Sequence, residues 1–185
     1  MSFVWNAPVA SRMDLPKGRV TISQGQFAVS DDPGTVMTTV LGSCVAACIR
    51  DPVLGLGGMN HFVLPGPVAK GMSKSEAARY GCQLMELLVD GLLARGANVW
   101  RLEAKIFGGA SPGNSFYNVG ARNFDFARQF LAANGIAVIE ENVGGPYGCK
   151  LEYWPYSGKA NCMPLTGRMG GKPKVTAIRS SVQKI

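Results

Sequence analysis

The chain has 185 residues, 46% of them apolar and 17% charged, with a formal net charge of +7. That composition suits one folded domain with tails and excludes wholesale disorder; no run approaches the roughly eighteen apolar residues of a membrane span. Residues 165–185 hold five basic side chains and no acid, whereas residues 1–164 carry 14 basic and 12 acidic groups, so the excess charge belongs to a tail. A short basic tail is ordinarily solvated, and no nucleic-acid role is read from it.

Residues 1–18 carry two prolines and no period, and are read as a loose arm. They lack the charged and apolar regions of a signal peptide, which gives the expectation of a cytoplasmic protein. Strands are predicted over 19–23 and 26–30, the second closed by Asp31-Asp32-Pro33-Gly34. Thr35 to Leu41, β-branched and apolar, predicts a buried strand broken at Gly42-Ser43. Cys44 to Ile49 predicts another, stopped by Arg50-Asp51-Pro52, and Gly57 to Leu64 a third, closed by Pro65-Gly66-Pro67. A helix is predicted over Ser73 to Arg95, where Ala77, Tyr80, Leu84, Leu87, Leu88 and Leu92 follow the 3.6 period. Ser73 and Glu76 form its capping box, Gly96 ends it, and Tyr80 is read as core.

A strand is expected from Leu102 to Phe107, running into Gly108-Gly109, then a helix from Ala121 to Ala133 ended by Asn134-Gly135. Strands over Ile136 to Glu140 and Cys149 to Trp154 flank the turn Gly144 to Gly148. From Gly158 onward glycine, proline and lysine accumulate and order is expected to fade. Clustered strands with two helices between them predict an α+β fold, a mixed β-sheet core packed with two main helices. Residues 19–164 would form the single domain and residues 165–185 a flexible tail.

Several chemistries fail on their motifs. Gly55-x-Gly57 has Asn60 where a dinucleotide loop needs its third glycine, and no phosphate-binding G-x-x-x-x-G-K-[ST] occurs. Ser43 lies in G-S-C, not in G-x-S-x-G. The five cysteines, Cys44, Cys48, Cys82, Cys149 and Cys162, are odd in number and contain no C-x-x-C, which predicts reduced thiols and no zinc site. The missing C-x-x-C also disfavours a thiol-redox role.

What remains is a thiol and an imidazole. His61 is the chain's single histidine, seventeen positions after Cys44. A thiol, ordinarily with a pKa of about 8.5, becomes a nucleophile beside such a group, and the turn Gly42-Ser43-Cys44 would expose it. Backbone N–H groups of that turn could hold an oxyanion. Asn60 would point to the opposite face of a strand from His61, so a hydroxyl from the preceding strand, Thr38 or Thr39, is the better orienting candidate. Ser43 is read either as a substrate contact or as a turn residue. Gly108 and Gly109 either line a substrate groove or end a strand. Cys48 shares the side-chain parity of Cys44 and is read as core.

The stretch Thr38 to Pro65, TTVLGSCVAACIRDPVLGLGGMNHFVLP, resembles the signature of the chemoreceptor glutamine deamidase family CheD. The resemblance extends to AKIFGGA at 104–110, NVGARN at 118–123 and GGPYGCK at 144–150, and covers about Gly18 to Leu165. It implies a cysteine-hydrolase fold like that of the cytotoxic necrotizing factors. It implies Cys44 as nucleophile, His61 as base and Thr38 as third member of a triad, converting receptor glutamines to glutamate with release of ammonia. No metal or cofactor is implied. The partners implied are chemoreceptor cytoplasmic domains and possible docking to a CheC-type phosphatase; a non-catalytic regulator of the same partners is the alternative. The family usually carries Arg where this chain has Cys149, and the arm and tail exceed its core.

Overall fold

The computed structural model describes residues 17–66, 71, 80–111 and 118–165. The capping box of Ser73 and Glu76, nearly all of the N-terminal arm and the basic tail beyond Leu165 lie outside the described residues. Two sheets stack face to face, and two helices cover the outer side of one of them. The elements run β1 Arg19–Thr21, β2 Gln26–Ser30, β3 Val36–Leu41, β4 Val45–Asp51, β5 Leu56–His61, α1 Gly81–Leu93, β6 Glu103–Gly108, α2 Val119–Ala133, β7 Ala137–Val143, β8 Cys149–Trp154 and β9 Lys159–Pro164. The outer sheet has the order β1-β3-β8-β9 and the middle sheet β2-β5-β4-β6-β7. Pairing is antiparallel except between β1 and β3 and between β6 and β7, so both sheets are mixed and the fold is α+β.

Strand β4 shows how the sequence builds the layers. Its run Val45-Ala46-Ala47-Cys48-Ile49 is buried on both faces. Val45, Ala47 and Ile49 pack beneath the helices with Leu84, Leu88 and Leu131. Ala46 and Cys48, in line with Cys44, pack against Met37, Leu41, Leu151 and Tyr153 of the outer sheet. Successive side chains of a strand alternate faces, so an unbroken apolar run is what a strand between two cores requires. At its end the wholly buried Asp51 takes a two-pronged contact from Arg101 (Nη2–Oδ2 2.6 Å, Nε–Oδ2 3.0 Å) and the N–H groups of Val53 and Asn98. The Arg101 hydrogen bonds hold that carboxyl down at about 2. A buried carboxylate is tolerable only with such partners.

Three expectations are corrected. Tyr80 is extended (φ −89°, ψ 135°) and pairs with Leu64, so the helix predicted across it begins at Gly81 in its described part. The described residues after Gly158 are ordered: β9 runs from Lys159 to Pro164 as an edge strand on β8. Finally, Cys149 and Cys162 are joined by a disulfide, not reduced. The β8–β9 hairpin brings their Cα atoms to 5.9 Å, inside the window that a disulfide needs. Cys44, Cys48 and Cys82 are not joined in a disulfide.

Candidate active site

Cys44 and His61 meet through strand register. Val45 N–H donates to Phe62 O (3.1 Å) and Phe62 N–H to Val45 O (3.0 Å), extending the β4–β5 ladder by one step. This pairing sets Ala46 across from His61 and Cys44 across from Val63. Cys44 and His61 are therefore diagonal neighbours on one face of the middle sheet, the face turned to the outer sheet. Cys44 is 7% and His61 3% exposed, beside the exposed Gly42 and Ser43. The pair thus sits just under the surface, at the mouth of the space between the sheets.

The outer sheet orients the imidazole. Thr39 Oγ1 lies 2.8 Å from His61 Nδ1 and 2.7 Å from the Ile22 carbonyl oxygen. A hydroxyl has one proton, and the carbonyl can only accept, so Thr39 donates to Ile22 and accepts from Nδ1–H. That assignment leaves the lone pair on Nε2, the tautomer a general base needs. Among the described residues Nε2 is buried and has no hydrogen-bond partner. Burial lowers the imidazole's pKa below its usual 6.5, against a smaller opposing effect of the Ile22 carbonyl. The ring is consequently neutral at physiological pH, with a basic nitrogen ready to take a proton.

Of the two hydroxyls weighed from sequence, the structure brings Thr39 to the imidazole. Thr38, the residue implied by resemblance, lies on the other face of β3. Its Oγ1 is 3.4 Å from the Val20 carbonyl and 3.5 Å from Thr21 Oγ1. The reason is the period of two: Thr39 shares the inward face with Met37 and Leu41, whereas Thr38 shares its face with Val40, which is 58% exposed. Asn60 does point away from the site, accepting from Ala47 N–H (2.9 Å) and donating to Met85 Sδ (3.2 Å) under the helices.

The nucleophile turn is clamped by its carbonyls. Ala110 N–H donates to Gly42 O and Gly109 N–H to Cys44 O, each at 2.8 Å. Asn123 Nδ2 donates to both Ser43 O and Val63 O at 3.0 Å. Because a trans peptide sets C=O and N–H antiparallel, the pinned carbonyls of Gly42 and Ser43 aim the N–H groups of Ser43 and Cys44 away from this clamp. Gly108 (φ 103°) and Gly109 (φ 63°) are required here: both have positive φ, and a Cβ on Gly108 would strike the Cys44 carbonyl. Gly109 also lines a depression of about 700 Å³ with Ser111, Asn118, Phe124, Gly144 and Pro146. Gly108 lines a smaller one beside Tyr147 and Cys149.

Asn123, wholly buried on α2, escaped the sequence reading, as did Gln24, whose amide nitrogen lies 3.7 Å from Cys44 Sγ. Each acts over a long separation in the chain, 80 positions for Asn123 and 20 for Gln24, which no local period marks.

Fold and site together define an α+β protein with a cysteine–histidine pair set between two sheets. The chain belongs to the CheD family. A family model described as CheD chemotactic sensory transduction matches residues 63–163. A Rhizobium etli protein named probable chemoreceptor glutamine deamidase CheD is 58% identical over 149 residues, covering 80% of this chain and 81% of its own. Proteins of the same name from Agrobacterium fabrum and Caulobacter vibrioides are 56% and 50% identical, covering 84% and 76% of this chain and 84% and 75% of their own. Among the described residues no helix is long and apolar enough to cross a membrane.

Proposed function

We propose that this chain is a chemoreceptor glutamine deamidase in which Cys44 is the nucleophile, His61 the proton carrier and Thr39 the group that holds the imidazole. The thiol proton passes to His61 Nε2 as Sγ attacks the carboxamide carbon, giving a tetrahedral oxyanion. The imidazolium returns that proton to the leaving nitrogen, the C–N bond breaks, and ammonia departs from a thioester. His61 then takes a proton from water, hydroxide adds to the thioester carbon, and the C–S bond breaks to give glutamate and the thiol. Water is the only co-reactant. The N–H groups of Ser43 and Cys44 and the groove beside Gly108 and Gly109 are assigned to the oxyanion and the receptor segment.

One observation carries the reading: the Thr39–Nδ1 contact fixes the imidazole tautomer and leaves Nε2 as a base on the sheet face that bears Cys44. Turnover of a chemoreceptor cytoplasmic fragment in ¹⁸O-water tests it. Specific glutamines should become glutamates carrying one ¹⁸O per conversion. Receptor binding with no conversion would leave the alternative, a regulator that binds receptors or a CheC-type phosphatase.

The two threonines separate by substitution. Thr39→Val should lower kcat by about 10²-fold, the lower end of what general acid–base catalysis contributes, and Thr39→Ser should restore most of it. Thr38→Val should stay within about threefold of wild type, since its hydroxyl is not on the imidazole. Equal losses from the two valine variants would remove Thr39 from its assigned role.

A further inference from the structure

Residues 22–25 join β1 to β2 and touch Thr39, His61 and Cys44 at one point each. The Ile22 carbonyl accepts the Thr39 hydroxyl (2.7 Å), and Gly25 N–H donates to the His61 carbonyl (2.8 Å). Between these anchors the Gln24 side chain turns inward, its Nε2 3.7 Å from Cys44 Sγ. A turn explains the approach. Ser23 to Gln26 form a tight turn, closed by Gln26 N–H on the Ser23 carbonyl (3.0 Å) with Gly25 at φ 79°, and Gln24 lies within it.

The contact adds little to folding. Gln24 is exposed, a thiol is a weak acceptor, and ordering a glutamine side chain costs up to about 2 kcal/mol of conformational entropy. Its physical consequence is local: an uncharged N–H donor held beside the nucleophile.

We propose that Gln24 is a catalytic residue that donates its side-chain N–H to the oxyanion formed when Cys44 adds to the substrate carboxamide. The assignment rests on the deamidase reading above. The oxyanion sits on the carbon bonded to Sγ, two bonds from the sulfur, so a donor 3.7 Å from that sulfur is within hydrogen-bonding reach of it. The carboxamide can neither take the thiol proton nor add a charge that would trap the thiolate. It therefore leaves proton transfer to His61 and, beyond its weak contact with sulfur, donates to the charge that develops on oxygen. With the N–H groups of the clamped turn, it would hold the oxyanion from a second direction.

The test compares wild type, Gln24→Ala, Gln24→Glu and Cys44→Ala in two assays on the full chain. One is deamidation of a chemoreceptor cytoplasmic fragment; the other is alkylation of Cys44 by iodoacetamide, a displacement that forms no oxyanion. Gln24→Ala should lose roughly 10²- to 10³-fold in kcat, the range for a lost oxyanion donor. Its KM and alkylation rate should stay within about threefold of wild type. Gln24→Glu, nearly isosteric, should be at least as slow, since a carboxylate repels the oxyanion; it carries the test if the alanine variant does not fold. A Gln24→Ala kcat near wild type, with Cys44→Ala inactive, would overturn the role of Gln24 alone. Alkylation falling in step with deamidation would also overturn it, because Gln24 would then merely shape the site. Deamidation that survives Cys44→Ala would overturn both this assignment and the mechanism beneath it.

Discussion

Cys44→Ala is expected to reduce glutamate formation on a receptor fragment to background, a loss on the order of 10⁴-fold or more. The size follows from the lack of a substitute. Cys48 shares the face of Cys44 but is 1% exposed, and burial pushes its thiol well above the ordinary range. Cys82 donates to Glu86 (3.3 Å), and burial with that carboxylate pushes it up to about 11. Cys149 and Cys162 are tied to each other. Cys82→Ala should therefore stay within about twofold of wild type, because neither the clamp nor the imidazole touches it. Mass-spectrometric mapping of glutamine-to-glutamate conversion measures both variants. Conversion above a few per cent of wild type in Cys44→Ala would remove the nucleophile from the mechanism.

How much of this was legible in the residues depends on the range of each signal. Strands β2 and β8 fall where period and turn residues place them, because their punctuation is local. Strand β9 was missed because Lys159–Pro164 is a largely exposed edge with a single partner, and so shows little apolar alternation. Tyr80 keeps the helical period, yet its backbone pairs with Leu64, a tertiary contact that no window of sequence contains. The disulfide depends on hairpin register, which a spacing of 13 residues does not reveal.

The site divides in the same way. Cys44 and His61 were legible because the histidine is single and the thiol follows a glycine turn. The choice between Thr38 and Thr39 was not, since β3 is apolar on both faces: Met37 and Leu41 point inward and Val40 outward. Only the stacked sheet shows which threonine meets the imidazole. Asn123 and Gln24 reach the site over 80 and 20 positions; Asn123 falls in the NVGARN stretch, but that stretch does not show which distant turn it meets.

His61→Gln is expected to cost about 10⁴-fold in kcat, the upper end for general acid–base catalysis, while Cys44 remains present. The pH dependence is the sharper check. The neutral ring is the competent form, and burial depresses its pKa, so wild-type kcat/KM should rise with pH to a plateau. The midpoint of that rise should lie below 6.5. Folding stability carries the same sign. The unfolded chain binds a proton at this position more readily than the folded one, so stability should rise with pH through the interval below 6.5. Urea midpoints of wild type should therefore fall as pH drops through that interval, and those of His61→Gln should fall less. A midpoint of activity above 6.5 would mean a raised imidazole pKa and a resting thiolate–imidazolium pair. The proton would then already have left sulfur before substrate arrives, and Nε2 would act first as an acid. That outcome would contradict the order of proton transfers derived from the Thr39 contact, because burial without a charged partner favours the neutral ring.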